Sequence, residues 1–169
     1  ERRLLVWRYE GSKTLEQFVE ASDFPLNMEQ SLFRARAPAG GDTEKRGAAV
    51  LREVTRYALQ GIKALHRGGV VHRDVKPANI IVSERDTGPA LLLADLGAAV
   101  DLRNGYQFNP DEGLLDPRYA PPEKYVLPQT VPRAPPALTA TLGSPYLWAR
   151  YKPGMFDTYA VGMMLLQMG

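Results

Sequence analysis

The stretch Val70-Val71-His72-Arg73-Asp74-Val75-Lys76-Pro77-Ala78-Asn79-Ile80-Ile81-Val82, running on through residues 83–90 to Leu91-Leu92-Leu93-Ala94-Asp95-Leu96-Gly97, decides how this chain is read. Two apolar triplets, Ile80-Ile81-Val82 and Leu91-Leu92-Leu93, flank the turn signal Asp86-Thr87-Gly88-Pro89 and predict a β-hairpin. A polar loop, His72 to Asn79, leads into the hairpin, and Asp95 follows it, so the hairpin holds Asn79 and Asp95 on rigid strands. Taken singly these residues say little. An aspartate in a polar loop is usually a turn residue, Asp95 after an apolar strand is commonly a turn former, and Arg73 alone is a surface charge. The information lies in fixed residue types at fixed offsets.

Upstream, Leu51, Val54, Ala58, Ile62 and Leu65 recur at helical spacing, and Gly68-Gly69 stops that helix. His66 is expected to help cap its end. Residues 35–47 hold Pro38, Gly40, Gly41 and Gly47 among charges and read as a solvated loop. Thr14 is expected to cap a short helix with Leu15, Phe18 and Val19 on one face, and Leu4-Leu5-Val6-Trp7 is a buried-strand pattern ended by Glu10-Gly11.

Downstream, no strong period appears from Gly97 to Pro122. Residues 127–153 carry prolines at 128, 132, 135, 136, 145 and 153, which predicts loop or extended structure. Asp157 is expected to cap an apolar helix, with Tyr159, Met163 and Met164 in the core. That helix is apolar on nearly every side, which predicts burial and a fold that continues past Gly169.

Bulk properties exclude several classes. Hydrophobic residues make up 44% and charged residues 24% of the 169, an ordinary globular composition. A net charge of +2 with scattered basic residues gives no case for a nucleic-acid partner. The absence of cysteine excludes disulfides and thiolate metal sites within these residues. The apolar run Tyr159 to Met168 is about half of the ~20 residues that span a bilayer, so this piece reads as soluble. The opening residues do not form a signal peptide.

His72-Arg73-Asp74-Val75-Lys76-Pro77-Ala78-Asn79, then Asp95-Leu96-Gly97, Pro121-Pro122-Glu123 and Asp157-Thr158-Tyr159-Ala160-Val161-Gly162 stand in the order of the protein-kinase motifs. The chain resembles the protein kinase family along nearly its whole length. The resemblance implies an α+β, protein-kinase-like fold: mostly the helical C-lobe, with one N-lobe strand and the hinge. Residues 1–10 would be the last N-lobe strand and hinge, and 11–169 a partial C-lobe. Within that lobe it implies a catalytic loop at 72–79, an activation segment at 95–123, a proline-rich insert at 126–153 and a central helix from 157.

It implies ATP and Mg²⁺ as cofactors and gives each site residue a role. Asp74 would orient the substrate hydroxyl and accept its proton, and Lys76 would offset charge on the transferring phosphate. Asn79 and Asp95 would supply a neutral and an anionic oxygen to Mg²⁺, which favours one or two protein oxygens completed by phosphates and water. Trp7 takes the gatekeeper position, the backbone of Arg8 to Glu10 would hold adenine, and Ile81 would lie beneath its ring. His72 is expected to be structural, and Asp157 a buried anchor bonded to the catalytic-loop backbone.

Departures from the family pattern are informative. Leu96 replaces the usual phenylalanine and keeps an apolar plug. Pro121 replaces an alanine, with Glu123 retained. Asp116 stands seven residues before Glu123, where serine/threonine kinases usually carry a threonine; its carboxylate is expected to pair with Lys76 or repel Asp74. From Asp95 to Glu123 there is no serine or threonine, so Asp111 or Glu112 is expected to do on Arg73 what an activating phosphate does elsewhere.

Lys76-Pro77 marks the serine/threonine class. LVWRYEG, LDPRYAPPEKYVLP and FDTYAVG narrow the resemblance to the thylakoid kinases of plants and green algae, which drive state transitions or phosphorylate the photosystem II core. This resemblance implies the stromal side of the chloroplast thylakoid membrane, antenna proteins of light-harvesting complex II as protein substrates, and a membrane anchor outside these residues. A pseudokinase scaffold or a small-molecule phosphotransferase are the rivals. Asp74, Asn79 and Asp95 all being present argues against the first, and Lys76-Pro77 with Pro121-Pro122-Glu123 against the second.

Overall fold

Ile80–Val82 (β3) and Leu91–Leu93 (β4) pair antiparallel, with Ile80 opposite Leu93, Ile81 opposite Leu92 and Val82 opposite Leu91. Lys13–Thr14 (β1) adds to the other edge of β3, giving the order β1-β3-β4. Alternation along β3 buries Ile80 and Val82 and leaves Ile81 half-buried on the opposite face. A second antiparallel pair joins Val70–Val71 (β2) to Val100–Asp101 (β5), a strand that the weak periodicity after Gly97 does not announce. The chain is described by a computed structural model over residues 8–34, 41–107, 115–122, 126–128 and 130–169. The expected strand Leu4 to Trp7 lies outside these residues, as do Glu123, Asp111 and Glu112.

Thr14 precedes the short helix Leu15–Val19 (α1), and the Gln17 side chain accepts a hydrogen bond from the Thr14 N–H at 3.1 Å. Leu15 is fully buried, with Phe18 and Val19 packed beside it. Glu29–Phe33 (α2) follows, and Thr43–Arg67 (α3) is the long helix of the fold. The loop expected up to residue 47 ends sooner, because Asp42 caps α3 by accepting the Lys45 N–H at 2.8 Å. Gly47 lies inside the helix, where a Cβ would come within 3.1 Å of the Pro25 ring. Gly47, Val50, Val54, Ala58 and Ile62 form the buried face of α3. The helix stops where expected: Gly69 has φ +81, a left-handed conformation that glycine adopts without a steric penalty.

The proline-rich insert is not all loop. Ala137–Tyr151 forms a helix (α4) with Pro145 inside it. Ala140 and Leu147 join a second core with Val71, Val100, Leu102 and Phe156, and Ser144 of the same helix is also buried. The Thr141 hydroxyl ties α4 to the Arg103 carbonyl at 2.7 Å. Burial of one face and that tether offset the missing N–H of Pro145.

The last helix, Met155–Met168 (α5), begins two residues before the expected cap; Gly154 is its N-cap, and Asp157 lies in the first turn. Phe156, Ala160, Val161, Met164 and Met168 are buried, joining the main core of α1, α3, β3 and β4 or the second core. Met163 packs against the main core as expected, but Tyr159 is 40% exposed rather than buried. No helix among the described residues is long and apolar enough to cross a membrane.

Candidate active site

The loop from His72 to Asn79, expected to be the catalytic one, hangs between β2 and β3 and is closed by a single turn of 3-10 helix, Pro77–Asn79. Proline opens this turn because its fixed φ suits a first helical position and its missing N–H is not required there. The Asn79 N–H bonds the Lys76 carbonyl at 3.0 Å. Across the hairpin the Asn79 carbonyl accepts the Ala94 N–H at 2.9 Å, which sets Asp95 beside Asn79.

Asp157 carries the loop from the other side. It is completely buried, and its Oδ2 accepts the His72 N–H at 2.9 Å while its Oδ1 accepts the Arg73 N–H at 2.8 Å. These bonds bear out the expected anchor. His66 makes a third, Nε2 to Asp157 Oδ2 at 2.7 Å, so this side chain serves the anchor and is not a cap of its own helix. Sequence alone could not pair two residues that lie 91 apart. Arg73 has φ +69 and Asp95 φ +62, values costing about 1–2 kcal/mol for a residue with a Cβ. Asp157 holds the first. The second is accompanied by a bond from the Gly97 N–H to Asp95 Oδ1 at 3.0 Å.

His72 is fully buried and structural, as expected. Its Nε2–H donates to the Ala94 carbonyl at 3.0 Å, and Nδ1 accepts the Asp74 N–H at 3.3 Å. One imidazole therefore joins the loop to the end of β4. Arg73 is buried, not the surface charge of a default reading, and its guanidinium lies 5.8 Å from the centre of the Phe156 ring. Burial pulls its pKa below the ordinary arginine value, partly offset by the Asp157 charge. Its Nε has no hydrogen-bond partner among the described residues.

At the centre, Asp74 Oδ2 receives the Asn79 Nδ2–H at 2.8 Å and pairs with Lys76 Nζ at 2.9 Å. The Asn79 amide nitrogen also bonds the Asp74 carbonyl at 2.9 Å. With its side-chain nitrogen committed twice to Asp74, Asn79 has its side-chain Oδ1 as the atom that could face a cation. Asp95 is exposed on the next strand end. A neutral and an anionic oxygen at adjacent strand ends fit Mg²⁺, which needs no dedicated protein cage; no cluster of three or more His, Cys, Asp or Glu suited to a metal occurs among the described residues.

Asp116 does not pair with Lys76. It takes Arg118 in a forked bond, Nη2 to Oδ2 at 2.8 Å and Nε to Oδ1 at 3.1 Å, while Lys76 stays with Asp74. Those hydrogen bonds hold the Asp116 carboxyl below the ordinary aspartate range despite partial burial, with smaller contributions from the charges of Arg118 and Lys76. Tyr119 is buried and its hydroxyl bonds the Gln167 side chain, tying this segment to α5. In the segment expected to form the hinge, the Glu10 carboxylate accepts Arg8 Nε at 2.5 Å, and the Glu10 carbonyl takes the Glu84 N–H at 2.8 Å. Trp7 lies outside the described residues.

Comparison with known proteins agrees with this geometry. The family model described as protein kinase domain matches residues 24–133. The chain is 43% identical over 164 residues to the chloroplastic serine/threonine-protein kinase STN8 of Arabidopsis thaliana, covering 97% of this chain and 32% of that protein. It is 41% identical over 166 residues to STN7 of the same plant, also a chloroplastic serine/threonine-protein kinase, covering 97% and 29%. The chain thus spans about a third of the length of these relatives. A crystal structure of an Stt7 homolog from Micromonas algae, soaked with ATP, superposes with a TM-score of 0.74 at 36% identity, covering 96% of this chain and 43% of that one. The expected fold is therefore the observed one, and this chain belongs to the protein kinase family.

Proposed function

We propose that the protein is a serine/threonine kinase that transfers the γ-phosphate of ATP to hydroxyls of other proteins. The observation that carries this reading is Asp74, oriented by Asn79 and paired with Lys76 at 2.9 Å, on a loop pinned by Asp157. Residues 1–10 then serve as the last small-lobe strand and hinge, and 11–169 as part of the large lobe. Adenine would meet the hinge at the Arg8 carbonyl and the Glu10 N–H, since the Glu10 carbonyl already serves Glu84. Ile81, turned to the face of β3 opposite the buried Ile80 and Val82, would lie under the ring.

Asp74 would receive the hydroxyl hydrogen of the acceptor side chain and hold its oxygen in line with the phosphorus. As the phosphate arrives, Lys76 would turn from Asp74 to the phosphate oxygens and offset their charge. Asn79 and Asp95 would hold Mg²⁺, which supplies charge neutralisation at the phosphates when bound. The bond between the γ-phosphorus and the bridging oxygen breaks, the hydroxyl oxygen becomes phosphorylated, and ADP leaves.

The chloroplastic relatives support a finer reading. On it, the substrates are thylakoid proteins, foremost the antenna proteins of light-harvesting complex II, met at the stromal face of the membrane. The photosystem II core, which the resemblance to the thylakoid kinases also implies, is the alternative target. The test uses the full-length protein, labelled ATP and isolated antenna or core proteins as acceptors. Protein-bound label that falls at least about 100-fold in Asp74→Asn, with ATP still bound, is the expected result. Undiminished transfer by Asp74→Asn, or label appearing on choline or a sugar in place of protein, would overturn the reading.

A further inference from the structure

Residues 8–12 have no regular secondary structure, yet they are held in one place. Among the described residues, every hydrogen bond that ties them to a distant part of the chain runs to Glu84, just past the end of β3. The Glu84 N–H donates to the Glu10 carbonyl at 2.8 Å. Its Oε1 accepts the Ser12 N–H at 3.0 Å and the Ser12 hydroxyl at 2.9 Å, and its Oε2 accepts the Tyr9 hydroxyl at 3.4 Å. The two bonds from Ser12 hold this carboxyl below the ordinary glutamate range. Arg85 adds a looser contact, Nε to Glu10 Oε2 at 3.7 Å. Gly11, in the middle of the segment, passes so close to β3 that a Cβ would stand 2.4 Å from the Val82 carbonyl oxygen. An exposed glutamate in a turn ordinarily faces water and needs no partner. The exposed Glu84 instead reaches residues that lie 72 and 75 positions earlier in the chain.

We propose that Glu84 is a positioning residue for the nucleotide: it clasps residues 9–12 to the end of β3 and so sets the height of the hinge above Ile81. This inference rests on the kinase reading, in which the hinge backbone and Ile81 together hold adenine. Those two contacts belong to separate segments of the chain, so their spacing has to be fixed by something that joins the segments. The β1–β3 ladder does this only as far as Lys13, which stands opposite Val82. The Glu84 clasp carries the tie onward to Tyr9. Three donors converging on one carboxylate, with the Glu84 N–H holding the Glu10 carbonyl beside them, leave the segment little freedom. A site held ready in this way binds more tightly than one that must be ordered by its ligand. The apparent Kd rises by the factor by which the competent fraction falls.

The test uses the full-length enzyme. Kd for ATP and for adenosine is read by direct binding, and kcat at saturating ATP with a protein acceptor, beside Asp74→Asn. In Glu84→Ala, Kd for ATP rises about 5- to 10-fold, Kd for adenosine rises by the same factor, and kcat stays within about twofold. Glu84→Gln keeps an oxygen that accepts the Ser12 N–H and recovers most of the affinity. Ser12→Ala removes the hydroxyl bond alone and raises Kd for ATP about twofold. This variant changes an exposed side chain, and it decides the question should Glu84→Ala fail to fold. Unchanged ATP affinity in these variants, a loss confined to kcat, or a loss for ATP that adenosine does not share overturns the inference, while a dead Asp74→Asn leaves the kinase reading standing. An active Asp74→Asn overturns the kinase reading and the inference together.

Discussion

Replacing Asp157 by alanine removes three bonds at once, to His66, to the His72 N–H and to the Arg73 N–H. The two backbone N–H groups belong to fully or nearly fully buried residues. Each is left without its acceptor, at about 1–3 kcal/mol. Arg73 must also keep its left-handed backbone with nothing to hold it, a further strain of about 1–2 kcal/mol that the variant relieves by letting the loop relax. A loss of roughly 2–6 kcal/mol follows from the two N–H groups, a large part of the 5–15 kcal/mol typical of a domain. Hydrogen exchange in the full-length enzyme is the direct assay. Protection of the His72 and Arg73 amides should fall by about 5- to 150-fold each, converting 1–3 kcal/mol at 1.4 kcal/mol per decade. Turnover should fall with it, because Asp74 is the next residue. Protection and kcat both at wild-type levels would refute the idea that Asp157 holds the loop.

Gly154→Ala should destabilise by about 1–3 kcal/mol in urea unfolding, since its Cβ would stand 2.8 Å from the His66 ring and 2.9 Å from Trp148. Gly143→Ala, with nothing within 4 Å of the new Cβ inside α4, should instead stabilise by about 0.5–1 kcal/mol. Arg46 hydrogen-bonds Glu29 and holds its carboxyl below the ordinary 4.5. A depressed folded pKa adds stability above the unfolded value and loses it as pH falls, so acid unfolding below about pH 4.5 should be shallower in Glu29→Gln than in wild type.

What was legible in the sequence was what neighbours in the chain decide. The β3–β4 hairpin follows from two apolar triplets and a turn, and the face of α3 from residues spaced by three and four. Asp74, Lys76, Asn79 and Asp95 all fall within the stretch that carries the loop and hairpin, and the structure gathers Asp74, Lys76 and Asn79 within hydrogen-bonding distance. The start of α3 was also visible in principle, in Asp42 placed three residues before Lys45, but the glycines around it pointed to a loop. Helix α4 was not legible, since prolines at 132, 135, 136 and 145 outweigh its local preference and its buried face meets Val71 and Val100 from far upstream. The bond from His66 to Asp157 and the forked pair of Asp116 with Arg118 depend on rotamers and on long-range placement. No periodicity encodes either.

The anchor has a consequence for how the protein is made. The carboxylate that anchors the His72–Asn79 loop comes 85 residues after His72. At synthesis rates of about 5–20 residues per second, a ribosome needs roughly 4 to 17 s to add that stretch. Throughout that interval the loop, the hairpin and α3 are already outside or entering the exit tunnel, yet His72 and Arg73 have no Asp157 to bond. The nascent chain therefore carries every residue from His72 to Asn79 before it can hold them in this arrangement, and a helix synthesised later is the one that fixes the loop.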